Sequence, residues 1–147
     1  MIPIIVPKNQ NMNLEKIGVA GPTHYFLRPD GIIYTESFEP TVVTKEVFIA
    51  NFEFIKKIAS ENKKSVKLLI NFTQANKLDK EAKTLVKSSY LNDNYGQYIE
   101  AAALLTNSRL STLIGNFMIG ISKKQQNKYP VKIFMAVPQA VKWLGQL

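Results

Sequence analysis

Hydrophobic and polar positions follow two rhythms along this chain. Around "HYFLRPDGIIYTESF" the apolar residues come in short runs on either side of a turn. Tyr25, Phe26 and Leu27 lead into Pro29-Asp30-Gly31, and Ile32, Ile33 and Tyr34 return. Proline presets the φ of the turn and Gly31 supplies the positive φ that closes it, so the stretch predicts a β-hairpin. In "TKEVFIANFEFIKKIAS" the spacing changes: Phe48, Phe52, Ile55 and Ala59 fall on one face of a helix. Thr44 is its expected N-cap, Glu46 suits the positive end of its dipole, and "ENKK" ends it. "VKLLINF" is a short apolar run and predicts a buried strand, with "TQANK" as the following loop. Asp79 caps the predicted helix "KEAKTLVKSSYL", in which Leu78, Ala82, Leu85 and Ser89 share a face. "IEAAALLTN" predicts the next buried strand and "YPVKIF" the last. Pro138 then stands near the first turn of a short helix ending in Trp143 and Leu144.

Between those last two strands lies the least ordinary segment, "AALLTNSRLSTLIGNFMIGISK". It predicts a helix nearly free of charge, with Asn107 or Ser108 as N-cap. Leu110, Leu113, Ile114, Phe117, Met118 and Ile121 fall at helical spacing and are expected to face the core. Gly115 and Gly120 sit inside the helix, where each costs ~1 kcal/mol relative to alanine. A close approach to the sheet would offset that cost, as would a flattened side offered to a second protomer or an apolar ligand. Thr106, Asn107, Ser108, Arg109, Gly115, Ile119 and Gly120 are therefore the candidate interaction edge. The Thr106-to-Arg109 turn follows a strand and opens a helix, a position that caps backbone N–H groups and also attracts anions. Asn71 to Asn76 follows the other central strand and is expected to line the same edge.

Strands alternating with helices mean α/β with a mainly parallel sheet, and the opening hairpin makes that sheet mixed. Residues 1–23 show no sustained period and are expected to be an irregular lead-in to one domain over 24–147. Ile2 to Val6 could add an edge strand, although Pro3 and Pro7 bar a central one.

Composition narrows the chemistry more than it names it. At 147 residues the chain suits one self-supporting domain. It has no cysteine, which removes disulfides, thiol nucleophiles and Cys-ligated zinc. No apolar stretch reaches the roughly 18 residues that span a bilayer, and the N-terminus lacks the basic start of a signal peptide. A cytoplasmic protein is expected. His24 is the only histidine and is expected to be structural, so neither a metal nor another cofactor is anticipated. There is no GxSxG elbow, phosphate-binding loop or dinucleotide fingerprint, and no carboxylate is paired for acid–base work, so no catalytic residue is nominated. The net charge is +8, nearly all from lysine; Arg28 and Arg109 are the only arginines. Lys77, Lys80, Lys83 and Lys87 form a basic stripe open to an acidic partner or an anionic membrane surface. No aromatic residues interleave with it, so nucleic acid is not expected.

Together, "LLINFTQANKLDKEAKTLV", "AAALLTNSRLSTLIGNFMIGISK" and "YPVKIFMAVPQAVKWL" resemble uncharacterised bacterial STAS-like proteins of the SpoIIAA-like, anti-sigma-factor-antagonist fold group. The resemblance covers His24 to Leu147. It implies a STAS-like mixed β-sheet with an N-terminal hairpin, alternating helices and strands after it, and helices mostly on one face. It further implies a non-enzymatic module that binds another protein. In the best-known branch, phosphorylation of a serine that follows an aspartate switches that binding. Asp79 stands at the aspartate's place, but Lys80 follows where the serine would be, and Thr73 is the nearest hydroxyl on that loop. The serine switch is thus not expected here. The first expectation is a homodimeric protein-interaction module. The alternative is a binder of a lipid or other apolar small molecule, since members of the group are also likened to CRAL-TRIO lipid-binding domains.

Overall fold

A computed structural model describes residues 13–125 and 128–147, so the suggested Ile2-to-Val6 strand lies outside the described residues. The hairpin forms where the turn predicts it. β2 (Thr23–Leu27) pairs antiparallel with β3 (Ile33–Ser37), and Gly31 closes the turn with φ +88°. Before it, β1 (Glu15–Ala20) runs antiparallel to β2 with a register shift between Lys16 and Gly18. Part of the expected irregular lead-in is therefore a strand. Its bulge breaks the two-residue alternation by which a strand is read.

A short β4 (Thr41–Val43) leads into α1 (Lys45–Asn62). The Thr44 side chain accepts the Val47 N–H at 3.1 Å, and Lys63 ends the helix in a left-handed conformation, φ 58°. β5 (Val66–Asn71) enters the sheet beside β3, and β7 (Ile99–Leu105) and β8 (Val131–Phe134) follow, all parallel. The main sheet has the order β1-β2-β3-β5-β7-β8. Instead of a plain loop, the end of "TQANK" enters β6 (Ala75–Leu78), which pairs with β4 in a separate two-stranded parallel sheet.

Asp79 caps α2 (Lys80–Lys87), accepting the Ala82 N–H at 2.8 Å. The single helix expected over 80–91 is broken: Ser88 is extended, and α3 (Tyr90–Tyr95) starts afresh. The Ser88 hydroxyl donates to the Leu85 carbonyl and accepts the Tyr90 N–H, replacing the helical pattern with a side-chain turn. Ser89, expected to share the buried face of Leu78, Ala82 and Leu85, is exposed beyond this break.

α4 (Arg109–Gln125) differs from its expected orientation. Ile114 is buried, and Phe117, Met118 and Ile121 pack against the same core, but Leu110 and Leu113 are 45% and 58% exposed. Small residues set the rotation. Ser111 is fully buried, and a Cβ at Gly115 would stand 2.9 Å from Ile133 Cδ1. The line through Ser111, Gly115 and Met118 faces inward because it permits the closest approach, which turns Leu113 outward.

α5 (Val137–Gly145) packs on the back face of the sheet, joining Ala140 and Leu144 to Phe26, Leu69, Ala101, Ala103 and Leu105. The other four helices and the β4–β6 pair cover the front face. The fold is thus α/β with a mixed six-stranded sheet.

Candidate cavity site

The front layer does not close fully on the sheet. A cavity of about 160 Å³ lies between them. Its floor comes from alternate strand residues, including Leu68 and Ile70 of β5, Ala102 and Leu104 of β7 and Val131 of β8. Its roof comes from Val47, Phe48, Asn51, Phe52 and Ile55 of α1, Val86 of α2, Leu91 of α3, and Met118 and Ile121 of α4. Val43 and Ala75 of the small sheet close one side. The hydrocarbon character follows from the rhythms seen in the sequence: period-two strands and helical stripes both point their apolar sides here.

Polar groups collect toward β2 and β3. Thr23 and Tyr25 stand on one strand, directly across from Ser37 and Thr35 on the other, and all four line the cavity. The Tyr25 hydroxyl donates to Asn51 Oδ1 at 2.6 Å, and Asn51 Nδ2 donates to the Val47 carbonyl at 2.8 Å. This chain ties the sheet to α1. Burial pushes the Tyr25 phenol well above its ordinary pKa, so it stays neutral and a hydrogen-bond donor. At the far end, burial pushes the Tyr129 phenol up to about 12. Among the described residues that line it, none carries a charge.

Asn71, the last residue of β5, and Phe72 of the following loop reach this cavity, but Thr106 to Arg109 do not line it. That turn is occupied with itself. Ser111 Oγ accepts the N–H groups of Asn107 and Ser108 at 3.3 Å each, and Ser108 Oγ accepts the Ser111 N–H at 3.1 Å. Thr106 is buried and accepts the Thr112 hydroxyl, while Asn107, Ser108 and Arg109 are exposed. Gly115 is buried against Ile133 and Ile119 is half-buried. Gly120 is exposed, and a Cβ added there would meet nothing within 4 Å. The seven residues therefore do not share one surface.

Thr73 is half-buried and donates to Asn71 Oδ1 at 2.6 Å; Asp79 is engaged as a cap and Lys80 is exposed at the start of α2. Lys77, Lys80, Lys83 and Lys87 are all exposed, Lys77 on β6 and the rest along α2. His24 stacks on Phe38 with ring centroids 4.2 Å apart, and burial followed by the nearby Lys16 charge lowers its pKa. Among the described residues no three His, Asp or Glu side chains gather as a metal site, and no helix is long and apolar enough to cross a membrane.

The hydroxyl square of Thr23, Tyr25, Thr35 and Ser37 was not nominated from the sequence. Its signal was present: hydroxyl residues at alternate positions on both arms of a hairpin whose faces are expected to be buried.

These features define an α/β domain with an apolar, uncharged interior cavity. Residues 25–147 match the DUF7793 family, a domain of unknown function, and the chain belongs to that family. No curated protein and no solved structure matches it.

Proposed function

We propose that this protein is a non-enzymatic binder of an apolar small molecule. The observation that supports this is the cavity between the sheet and the front layer, lined mostly by hydrocarbon with uncharged polar groups among the described residues. Close packing is the rule in protein interiors, and apolar voids of about 150 Å³ are large enough to take a single aromatic ring. The titratable groups that line it are tyrosines held neutral, which suits binding better than proton transfer. The STAS-like arrangement stays part of this proposal; the mixed sheet with four helices on its front face supports it. Binding without a serine switch fits Lys80 after Asp79 and the internally bonded Thr73 hydroxyl.

The test is native mass spectrometry of freshly purified protein beside its denatured mass. A discrete mass lost on denaturation is expected. A preparation that is empty and also fails to bind small aromatic probes sinks the reading.

A second reading is a contact with another copy of this chain. It is favoured by Leu110 and Leu113, exposed on α4, and by Met135, 71% exposed just past the edge strand β8. Sedimentation velocity of the wild type and of Leu113→Lys tests it. A dimer that becomes monomeric on substitution is expected, and a wild-type monomer at high concentration ends it.

A further inference from the structure

The cavity's polar groups are arranged unevenly, and this limits what it can hold. The hydroxyls of Thr23, Thr35 and Ser37 make no hydrogen bond to any protein group among the described residues. Thr35 is only 3% exposed and lines the cavity, while Thr23 and Ser37 beside it are half-buried. Tyr25, its cross-strand neighbour, is already engaged with Asn51 and holds that end of the wall in place. The β7–β8 side, around Leu104, Met118 and Val131, is mostly hydrocarbon, with Asn92 and Tyr129 as further polar lining residues of the cavity. Among the described residues no lysine, arginine or carboxylate lines any part.

We propose that the cavity selects an uncharged molecule about the size of one aromatic ring, bearing a single hydroxyl or carbonyl group that hydrogen-bonds Thr35, with Ser37 and Thr23 beside it. This rests on the cavity being a ligand site. The selection works through desolvation. A carboxylate or ammonium brought into this wall would lose its water and meet no counter-charge. A pure hydrocarbon would leave the Thr35 hydroxyl unpaired. A neutral ligand with one polar group avoids both losses. It keeps its apolar body against β5, β7 and α4 while its polar group pairs with the Thr35 hydroxyl.

Three probes of similar size separate the cases: p-cresol, toluene and benzoate, titrated into the full chain at neutral pH and followed by amide chemical shifts. The expected result is p-cresol binding about fivefold tighter than toluene, and no saturable binding of benzoate. Thr35→Val, which keeps the side chain's shape, brings p-cresol to the toluene affinity and leaves toluene unchanged. Ser37→Ala serves as the second variant, with a smaller loss for p-cresol. Equal affinity for p-cresol and toluene in the wild type overturns the proposal while leaving the cavity a ligand site. So does benzoate binding as tightly as p-cresol, or a p-cresol preference that survives both substitutions. Failure of all three probes to bind overturns this proposal together with the ligand-binding reading beneath it.

Discussion

The back and front faces of the sheet use the same strands to opposite ends. On the back, Ala101 and Ala103 of β7 lie under Ala140 and Leu144 of α5, all four without exposure. Small residues there let one short helix settle directly onto the strands, and nothing is left over. On the front, Ala102 belongs to the same strand and is equally small, yet it borders a void. Its covering layer is thicker. α1 brings Phe48 and Phe52, the loop after β5 brings Phe72, and the β4–β6 pair stands between the helices. Phe48 and Phe72 pack with the small sheet and the other helices, while Ile55 and Ile58 of α1 reach the main sheet near Ala102. A small side chain therefore makes a close contact or a cavity according to whether the opposing element can advance.

Substitutions on the two faces sharpen that contrast. Leu144→Ala removes a fully buried side chain from the close-packed back face and is expected to cost ~2–5 kcal/mol in urea unfolding. Met118→Ala, half-buried beside the void, is expected to cost less than half as much. Ala103→Leu overpacks the back face and costs ~1–3 kcal/mol, whereas Ala102→Leu grows into the cavity, leaves stability nearly unchanged and weakens p-cresol binding. Equal destabilisation by the two leucines would erase the distinction between the faces. On α4, Gly120→Ala meets nothing and should gain ~0.5–1 kcal/mol, while Gly115→Ala loses that gain against Ile133. Thermal melts of the two variants make the comparison.

The smallest effect concerns Glu36, whose register partner is His24. Burial raises its carboxyl pKa above the ordinary 4.5, and a hydrogen bond with Tyr34 only partly opposes this. The folded state thus favours the protonated form. That preference helps stability below pH 4.5 relative to neutral pH, and the help is lost as pH rises through the folded pKa. Glu36→Gln should raise the melting temperature by roughly 2 °C at pH 7, with the gain disappearing below the ordinary carboxylate pKa. A gain that persists at pH 4 would assign it to another cause.

The sequence carried the parts of this molecule that are locally determined. The β2–β3 turn, the caps Thr44 and Asp79, the buried strands β5 and β7, and α5 are all written in neighbouring residues, and Ser108 is one of the two caps the sequence offers for α4. What escaped depends on distant partners. β4 and β6 are too short to show alternation and exist because each pairs with the other across α1 and β5. α4 has two eligible apolar stripes, and the fit of Gly115 on Ile133 decides between them. The cavity was illegible for the same reason. Its lining residues read as ordinary core, and their failure to touch across the gap has no signature along the chain.

The strand order β1-β2-β3-β5-β7-β8 also describes a schedule. Every strand of the main sheet lies beside the one that precedes it in that sheet, with no reversal, so each pairs with an edge that earlier residues have already made. Chain emerging from a ribosome could lay down this sheet from one side to the other, starting from the local hairpin, without waiting for its far end. Until β8 arrives the growing edge is β7, at seven residues the longest strand of the sheet, with its alanine and leucine surface still in want of α4 and α5. Nascent chains stalled just after β7 should therefore be the ones that most engage chaperones.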